Sequence, residues 1–427
     1  MAGKPLFPLS PVIFNSDGEI CPIPTEFLAL RTRFSKNRNE AAGKRIHNRR
    51  ILTTKSRRDF GECIINFYEW LAATEKSWAT VAYASDILEG YQADMTSGAW
   101  SKHGTELAPN TINLRVLVAC DFLSWAANKG YRGDFQVDSE RRLVRMDSGR
   151  TTRGNKPIEV ESRIGVVRKN PLVLNIPKDS EIKKWINSVG AHRGAVKRLM
   201  CETILNTAIR LSEAVHWRPD TLPIDRESWM IENEVVIVDI KYGAKGQKYI
   251  DSFGDEVGPA RKIEVPLQFA NRLEEYRTYV RPRLMAMYVK AGGNSVERKL
   301  RKIEASKHLF LSEYDGSPIS GATLYRAWTE PPHLPYVGFS PQLGRHWWAC
   351  KRLLRDCRLV IEIGDIPFSD DGHGPIKDTV ADIIRYVIKP QLGHVDERTS
   401  EGYVAWILKA IRYRTFLDEY TSFLDEF

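Results

Sequence analysis

A histidine and a tyrosine nine residues apart, His394 and Tyr403 in LGHVDERTSEGYVAW, follow three cationic residues in one order. These are Arg210 in NTAIRLSEAVHW, Lys245 in KYGAKGQK and Arg345 in SPQLGRHWW. A phenol among two arginines and a lysine is suited to attack on a phosphodiester without a metal. A free phenol stays protonated at neutral pH. Nearby cations favour the phenolate, so the Tyr403 pKa is expected to be lowered. Attack on phosphorus then gives a covalent phosphotyrosine that stores the energy of the broken bond.

The other stations follow from the charge that develops. A phosphoryl transition state gathers negative charge on its non-bridging oxygens. The guanidinium of Arg210 or Arg345 is permanently charged and binds two oxygens at once. Preorganised donors of this kind contribute several kcal/mol to a transition state. The leaving oxygen needs a proton, which a lysine on a turn can supply.

The order Arg, Lys, x-x-x-Arg-His, Gly-His, Tyr resembles that of the tyrosine recombinases, or phage-type integrases, across roughly residues 50 to 415. AIRLSEAVHW resembles the family's first box, which implies that Glu213 holds the turn. SPQLGRHWW is similar to the H-x-L-R-H box but departs from it twice, with Gln342 at the first position and Gly344 in place of leucine. Gln342 can donate a hydrogen bond to phosphate but cannot carry a proton, so the relay given to that histidine is in question. His346 is expected to face the core or support the site. Lys245 aligns with the lysine of the family's strand–turn–strand, with Lys241 and Lys248 as competitors for the general acid. His394 is implied as a hydrogen-bond donor to the scissile phosphate.

The fold implied is mainly α with a small β-sheet: a helical core-binding (SAM-like) domain and an α+β catalytic domain. The activity implied is site-specific DNA recombination through a 3′-phosphotyrosine, with double-stranded DNA as partner and a homotetramer acting on two duplexes. No cofactor, nucleotide or metal is required. Two alternatives share the resemblance: a topoisomerase IB-like or telomere-resolving strand transferase, and a DNA-binding regulator without catalysis.

Composition agrees with these expectations. The 427 residues suggest two or three domains. A net charge of +9 favours a polyanionic partner. Six scattered cysteines form no C-x-x-C pair, which indicates neither zinc nor a disulfide framework and fits reduced thiols. The N-terminal residues show no signal peptide pattern, and no apolar run is long enough to span a membrane. A cytoplasmic, nucleoid-associated protein is expected.

Periodicity divides the chain further. Residues 1–48 read as an extended or partly ordered arm. Residues 49–132 hold three helices: one with Phe60, Ile64, Phe67 and Leu71 on a face, a second near Val81–Met95, and a third from Pro109, capped by Asn110 or Thr111 and ended at Gly130. Residues 133–175, rich in Arg and Lys, read as a basic linker, the alternative being a β-excursion on the second domain. Residues 176–427 form the catalytic domain. It contains helices, a strand EVVIVDI, a turn at KYGAKGQKY, a returning strand ARKIEVPL and a final helix near Val404–Leu424. The interval from Arg345 to His394 is long; its Asp370, Asp371 and His373 read as an exposed acidic loop rather than a metal site.

Overall fold

The structure is a computed structural model that describes residues 10–31, 54–144, 158–168, 174–246, 249–251, 255–364, 380–393, 402–403 and 406–407. The chain divides into two compact units, Met1–Pro171 and Leu172–Phe427. Among the described residues, no helix is long and apolar enough to cross a membrane.

The first unit is helical. Helix α1 (Pro22–Arg31) packs with α2 (Thr54–Ala73) and α4 (Pro109–Asn128). A π-helical segment, Tyr83–Gln92, leads into α3 (Ala93–Ser97). The expected α2 face is present, with Ile64, Phe67 and Leu71 buried and Phe60 against the same core. Residues 10–31, read as part of an extended or partly ordered arm, are ordered and supply Phe27 and Leu28 to that core, and Phe27 meets Phe122 edge-on at 5.4 Å. The cap of α4 also differs. Ala108 precedes the helix with no side-chain cap, and Pro109 opens it, so Asn110 and Thr111 already lie inside.

The segment expected as a linker contains an antiparallel ribbon, β1 (Ser139–Val144) with β2 (Ile158–Arg163), in register from Ser139 opposite Arg163 to Val144 opposite Ile158. It is tied to the first unit. Arg163 donates to Gln92 Oε1 and Asn113 Oδ1, both at 2.9 Å, and Tyr83 Oη donates to the Ile164 carbonyl at 2.6 Å. The arginine density that suggested a backbone-crossing linker here includes a residue used as an internal brace.

In the second unit, α5 (Asp179–Arg193) packs on α6 (Ala195–Thr207), and α6 packs on a four-stranded antiparallel sheet of order β3-β4-β6-β5. These strands are β3 (Met230–Glu232), β4 (Val235–Tyr242), β5 (Tyr249–Ile250) and β6 (Glu256–Pro266). Val236, Val238 and Ile240 alternate into the core opposite Val265, Ile263 and Arg261. The long helical run after the sheet begins as α8 (Leu267–Glu275) and ends as α9 (Arg281–Lys290), with a π-helical turn at Tyr276–Val280 just before Pro282. Proline cannot donate the backbone bond there, and the wider turn accommodates it. Helices α10 (Ser295–Ser306) and α11 (Gly321–Thr329) precede α12 (Pro341–Gly364). A separate apolar cluster joins α12 to Ile384, Ile388, Leu392, Tyr403 and Ile407. Of the expected final helix, Trp406 and Ile407 are described, with Ile407 buried. Its residues from 408 onward, and the acidic loop with Asp370, Asp371 and His373, lie outside the described residues.

Candidate active site

The first arginine is positioned by a break in the chain. Ala208, in a left-handed conformation, stops α6, and Arg210 then caps α7 (Leu211–Val215) with extended backbone. Glu213 closes this turn: its Oε2 accepts from the Arg210 backbone N–H at 2.7 Å, and its Oε1 from Arg210 Nη1 at 3.0 Å. The Glu213 side chain is fully buried. It accepts two further bonds from Arg261 on β6, both 2.7 Å, and Arg345 Nη1 lies 3.8 Å from its Oε2. Burial pushes the Glu213 carboxyl upward, but Arg261 and Arg210 outweigh it and hold the group below its ordinary value. One carboxylate therefore organises three guanidinium groups.

Arg345 sits in the first turns of α12 and is 1% exposed. Its Nη2 donates to the Leu392 carbonyl at 2.8 Å, and Arg210 Nη2 donates to the Gly393 carbonyl at 2.9 Å. The Nε and Nη1 of Arg345 are buried with no hydrogen-bond partner among the described residues. Burial and the neighbouring Arg210 lower the Arg345 pKa to about 9. Two unmet donors on a buried cation are costly unless an anion meets them. The unusual Gly344 has a steric reason: a Cβ there would lie 2.5 Å from the Trp328 indole, which fills the space a leucine would take.

Tyr403 lies beside this cluster, 1% exposed. Its hydroxyl is 2.7 Å from His346 Nδ1. His346 is on the same face of α12 as Gln342, and Gln342 Nε2 is 3.4 Å from His346 Nε2. The expected lowering of the Tyr403 pKa is not what the structure shows. Burial pushes the phenol well above its ordinary value, and Arg345 offsets this only in part. Burial and Arg345 also lower His346 to about 4, which leaves the ring neutral at physiological pH. In this conformation the hydroxyl is held but covered.

Lys245 is on the turn that follows β4 and is exposed. The turn is docked rather than loose. Ser212 Oγ, from the arginine box, donates to the Gly243 carbonyl at 2.8 Å. Gly243 has φ +68°, and a Cβ there would collide with the Ser212 carbonyl. Beyond it, Arg218 stacks on the Tyr242 ring at 3.7 Å and pairs with Asp255, which Lys307 Nζ also meets at 2.5 Å. Lys241 Nζ lies over the Tyr242 ring at 5.1 Å, whereas Lys248 lies outside the described residues.

Of the residues singled out from sequence, the structure brings together Arg210, Arg345 and Tyr403, with Gln342 joined through His346; Ser212 ties down the turn that carries Lys245, through Gly243. His394 lies outside the described residues. His346, expected to face the core or support the site, is buried against the Tyr403 hydroxyl. Two further contributors were not among the candidates. Arg261 shares the inward side of β6 with buried Ile263 and Val265, so strand alternation contained the signal. Gln391 donates to the Thr207 and Glu264 carbonyls at 2.8 and 3.0 Å and accepts from Glu264 N–H at 2.8 Å, and no sequence pattern marks it.

No protein-family model matches the chain, and no curated protein matches it in sequence. Among solved structures it is similar to the XerH site-specific recombinase bound to palindromic difH substrate, at 14% identity and a TM-score of 0.46, covering 86% of this chain and 80% of that one. It is also similar to the Tn1549 transposon integrase in complex with circular intermediate DNA, at 14% identity and TM-score 0.42, over 88% and 94% of the two chains. A lambda integrase dimer bound to a COC' core site is similar at 14% identity and TM-score 0.39, over 86% and 92%. Residue roles in this chain rest on the geometry of its own site.

Proposed function

We propose that this chain is a site-specific DNA recombinase of the integrase or transposase type, cutting and rejoining strands through a 3′-phosphotyrosine on Tyr403. The observation that supports this reading best is the buried Arg345 with two unmet N–H donors, beside Arg210 and the Tyr403 hydroxyl. The scissile phosphate would occupy those donors and compete with the Leu392 and Gly393 carbonyls for the arginines. Tyr403 attacks, Lys245 protonates the 5′-oxygen, and Gln342 and His394 donate to the phosphate. The reverse steps join a different strand. Because the phosphotyrosine keeps the bond energy, neither nucleotide nor metal is needed. The partner is duplex DNA, and exchange between two duplexes requires a tetramer of the chain.

The covered Tyr403 hydroxyl favours one rival, a DNA-binding protein without chemistry. The test is a pool of nicked duplexes with randomised central sequence, incubated with the full chain and chelator. Recovery under denaturing conditions of DNA linked to protein, enriched in one sequence, is expected. Enrichment of a sequence by native binding alone, with no linked DNA, would establish the rival.

A further inference from the structure

The reading above gives Tyr403 a phosphate to attack but no group to take its proton, and Gln342, at the position where the family resemblance places a histidine, cannot take one. We propose that His346 is that group: its Nδ1 receives the Tyr403 hydroxyl proton, and Gln342, one helical turn earlier, sets which ring nitrogen is free to do so. This rests on the recombinase reading and adds to it a residue for which that reading gave only a supporting place.

Geometry carries the assignment. Tyr403 Oη and His346 Nδ1 are 2.7 Å apart, within the range for proton transfer between positioned heavy atoms. Both side chains are buried, so water does not compete with the ring for the hydroxyl. A neutral imidazole has one donor and one acceptor nitrogen. For Nδ1 to accept, Nε2 must carry the proton and must find an acceptor. Among the described residues, Gln342 is the side chain that reaches Nε2, at 3.4 Å. A half-turn of its carboxamide presents Oε1 instead of Nε2 to the ring. The Nε2–H then donates to Oε1, and Nδ1 is left with its lone pair toward Tyr403.

The balance of the step is complete. The phenol O–H bond breaks and its proton passes to Nδ1. The phenolate oxygen bonds to phosphorus as the P–O5′ bond breaks, and the departing 5′-oxygen takes a proton from Lys245. In rejoining, an incoming 5′-hydroxyl returns its proton to the lysine, and Tyr403 recovers its own from His346.

The titratable groups facing the pair among the described residues are Arg345 and Cys350. In the closed site, burial and Arg345 make the ring a weak base. A phosphodiester seated on the free Arg345 donors places a negative charge beside the ring and offsets that cation, which raises the ring's affinity for a proton. Transfer is thereby linked to the arrival of DNA.

The test uses the full chain and the nicked duplex recovered from the pool. His346→Gln keeps a hydrogen-bonding side chain but carries no proton. It should bind the duplex and melt as wild type does, while adduct formation at neutral pH falls on the order of 100-fold, the low end for a lost general base. Its rate should climb with pH where wild type is level. Fluorination of the Tyr403 ring, which lowers the phenol pKa, should restore much of the variant's rate and change wild type little. Gln342→Glu tests the orientation. A carboxylate can only accept from Nε2–H, and it raises the ring's pKa. The acid limb of the pH profile should therefore move to higher pH, whatever the plateau. A His346→Gln protein with wild-type rate, or a loss that fluorination does not relieve, overturns the assignment while leaving the recombinase reading intact. An unmoved acid limb in Gln342→Glu overturns the part given to Gln342. No adduct from wild type overturns the recombinase reading and this assignment with it.

Discussion

The two cationic sides of the site are built in opposite ways. On the arginine side, Glu213 is fully buried and accepts bonds from Arg210 and Arg261, with Arg345 close by. On the lysine side, Lys245 is exposed on a turn, and only the backbone beneath it is fixed, by Ser212 on Gly243. Groups that must meet a charge developing at one point gain from being held in place before it appears. A proton donor must instead reach the leaving oxygen and take its proton back from the incoming hydroxyl, which a side chain on an exposed turn can do. The difference separates what the molecule needs for folding from what it needs only for chemistry.

Breaking the braced side should have the larger effect. Glu213→Gln leaves three guanidinium groups without their carboxylate and is expected to cost about 3–5 kcal/mol of stability, as for a buried pair that loses one partner. Urea unfolding measures it. The sign with pH follows from the lowered Glu213 pKa. The stabilising contribution is fully present above the ordinary carboxylate value and is lost as pH falls through the lower native one. The gap between wild type and Glu213→Gln should therefore close in acid. A variant as stable as wild type near neutrality would mean that the arginines need no common counter-charge.

The lysine side should respond without any loss of stability. Lys245→Ala is expected to unfold within about 0.5 kcal/mol of wild type, as a surface change does. Cleavage of ordinary DNA should slow by roughly 10²–10⁴, the range for a lost general acid. A substrate with sulfur at the bridging 5′ position has a leaving group that needs no proton and should be cleaved by the variant at near wild-type rate. Failure of the sulfur substrate would move the role to Lys241 or Lys248.

Legibility in the sequence follows the same division. The arginine box could be read because its turn is local: Arg210 and Glu213 are three residues apart, and their contact is part of the helix start. Strands β4 and β6 are legible from alternation, and α2 from the spacing of Phe60, Ile64, Phe67 and Leu71. What sequence could not give was set by long-range packing. Arg261 reaches Glu213 from 48 positions away, and Gln391 reaches Thr207 from 184. The Tyr403 pKa was expected to fall because cations were counted and burial was not. A segment full of arginine looked like a linker, yet Arg163 holds a ribbon to the helices of the first unit. His346 is buried beside the site as its place after Arg345 implies, but its partner, Tyr403, lies 57 positions away and no local pattern names it.

The central claim is that Tyr403 is the nucleophile, and the most direct measurement is the chemical identity of the residue that carries DNA. After covalent capture and digestion of both protein and DNA, the nucleotide remnant should map by mass to the peptide containing Tyr403. Tyr403→Phe should bind the same duplex and yield no adduct. A remnant on another residue, Tyr413 being the nearest tyrosine in sequence, or an adduct formed by Tyr403→Phe, would contradict the account.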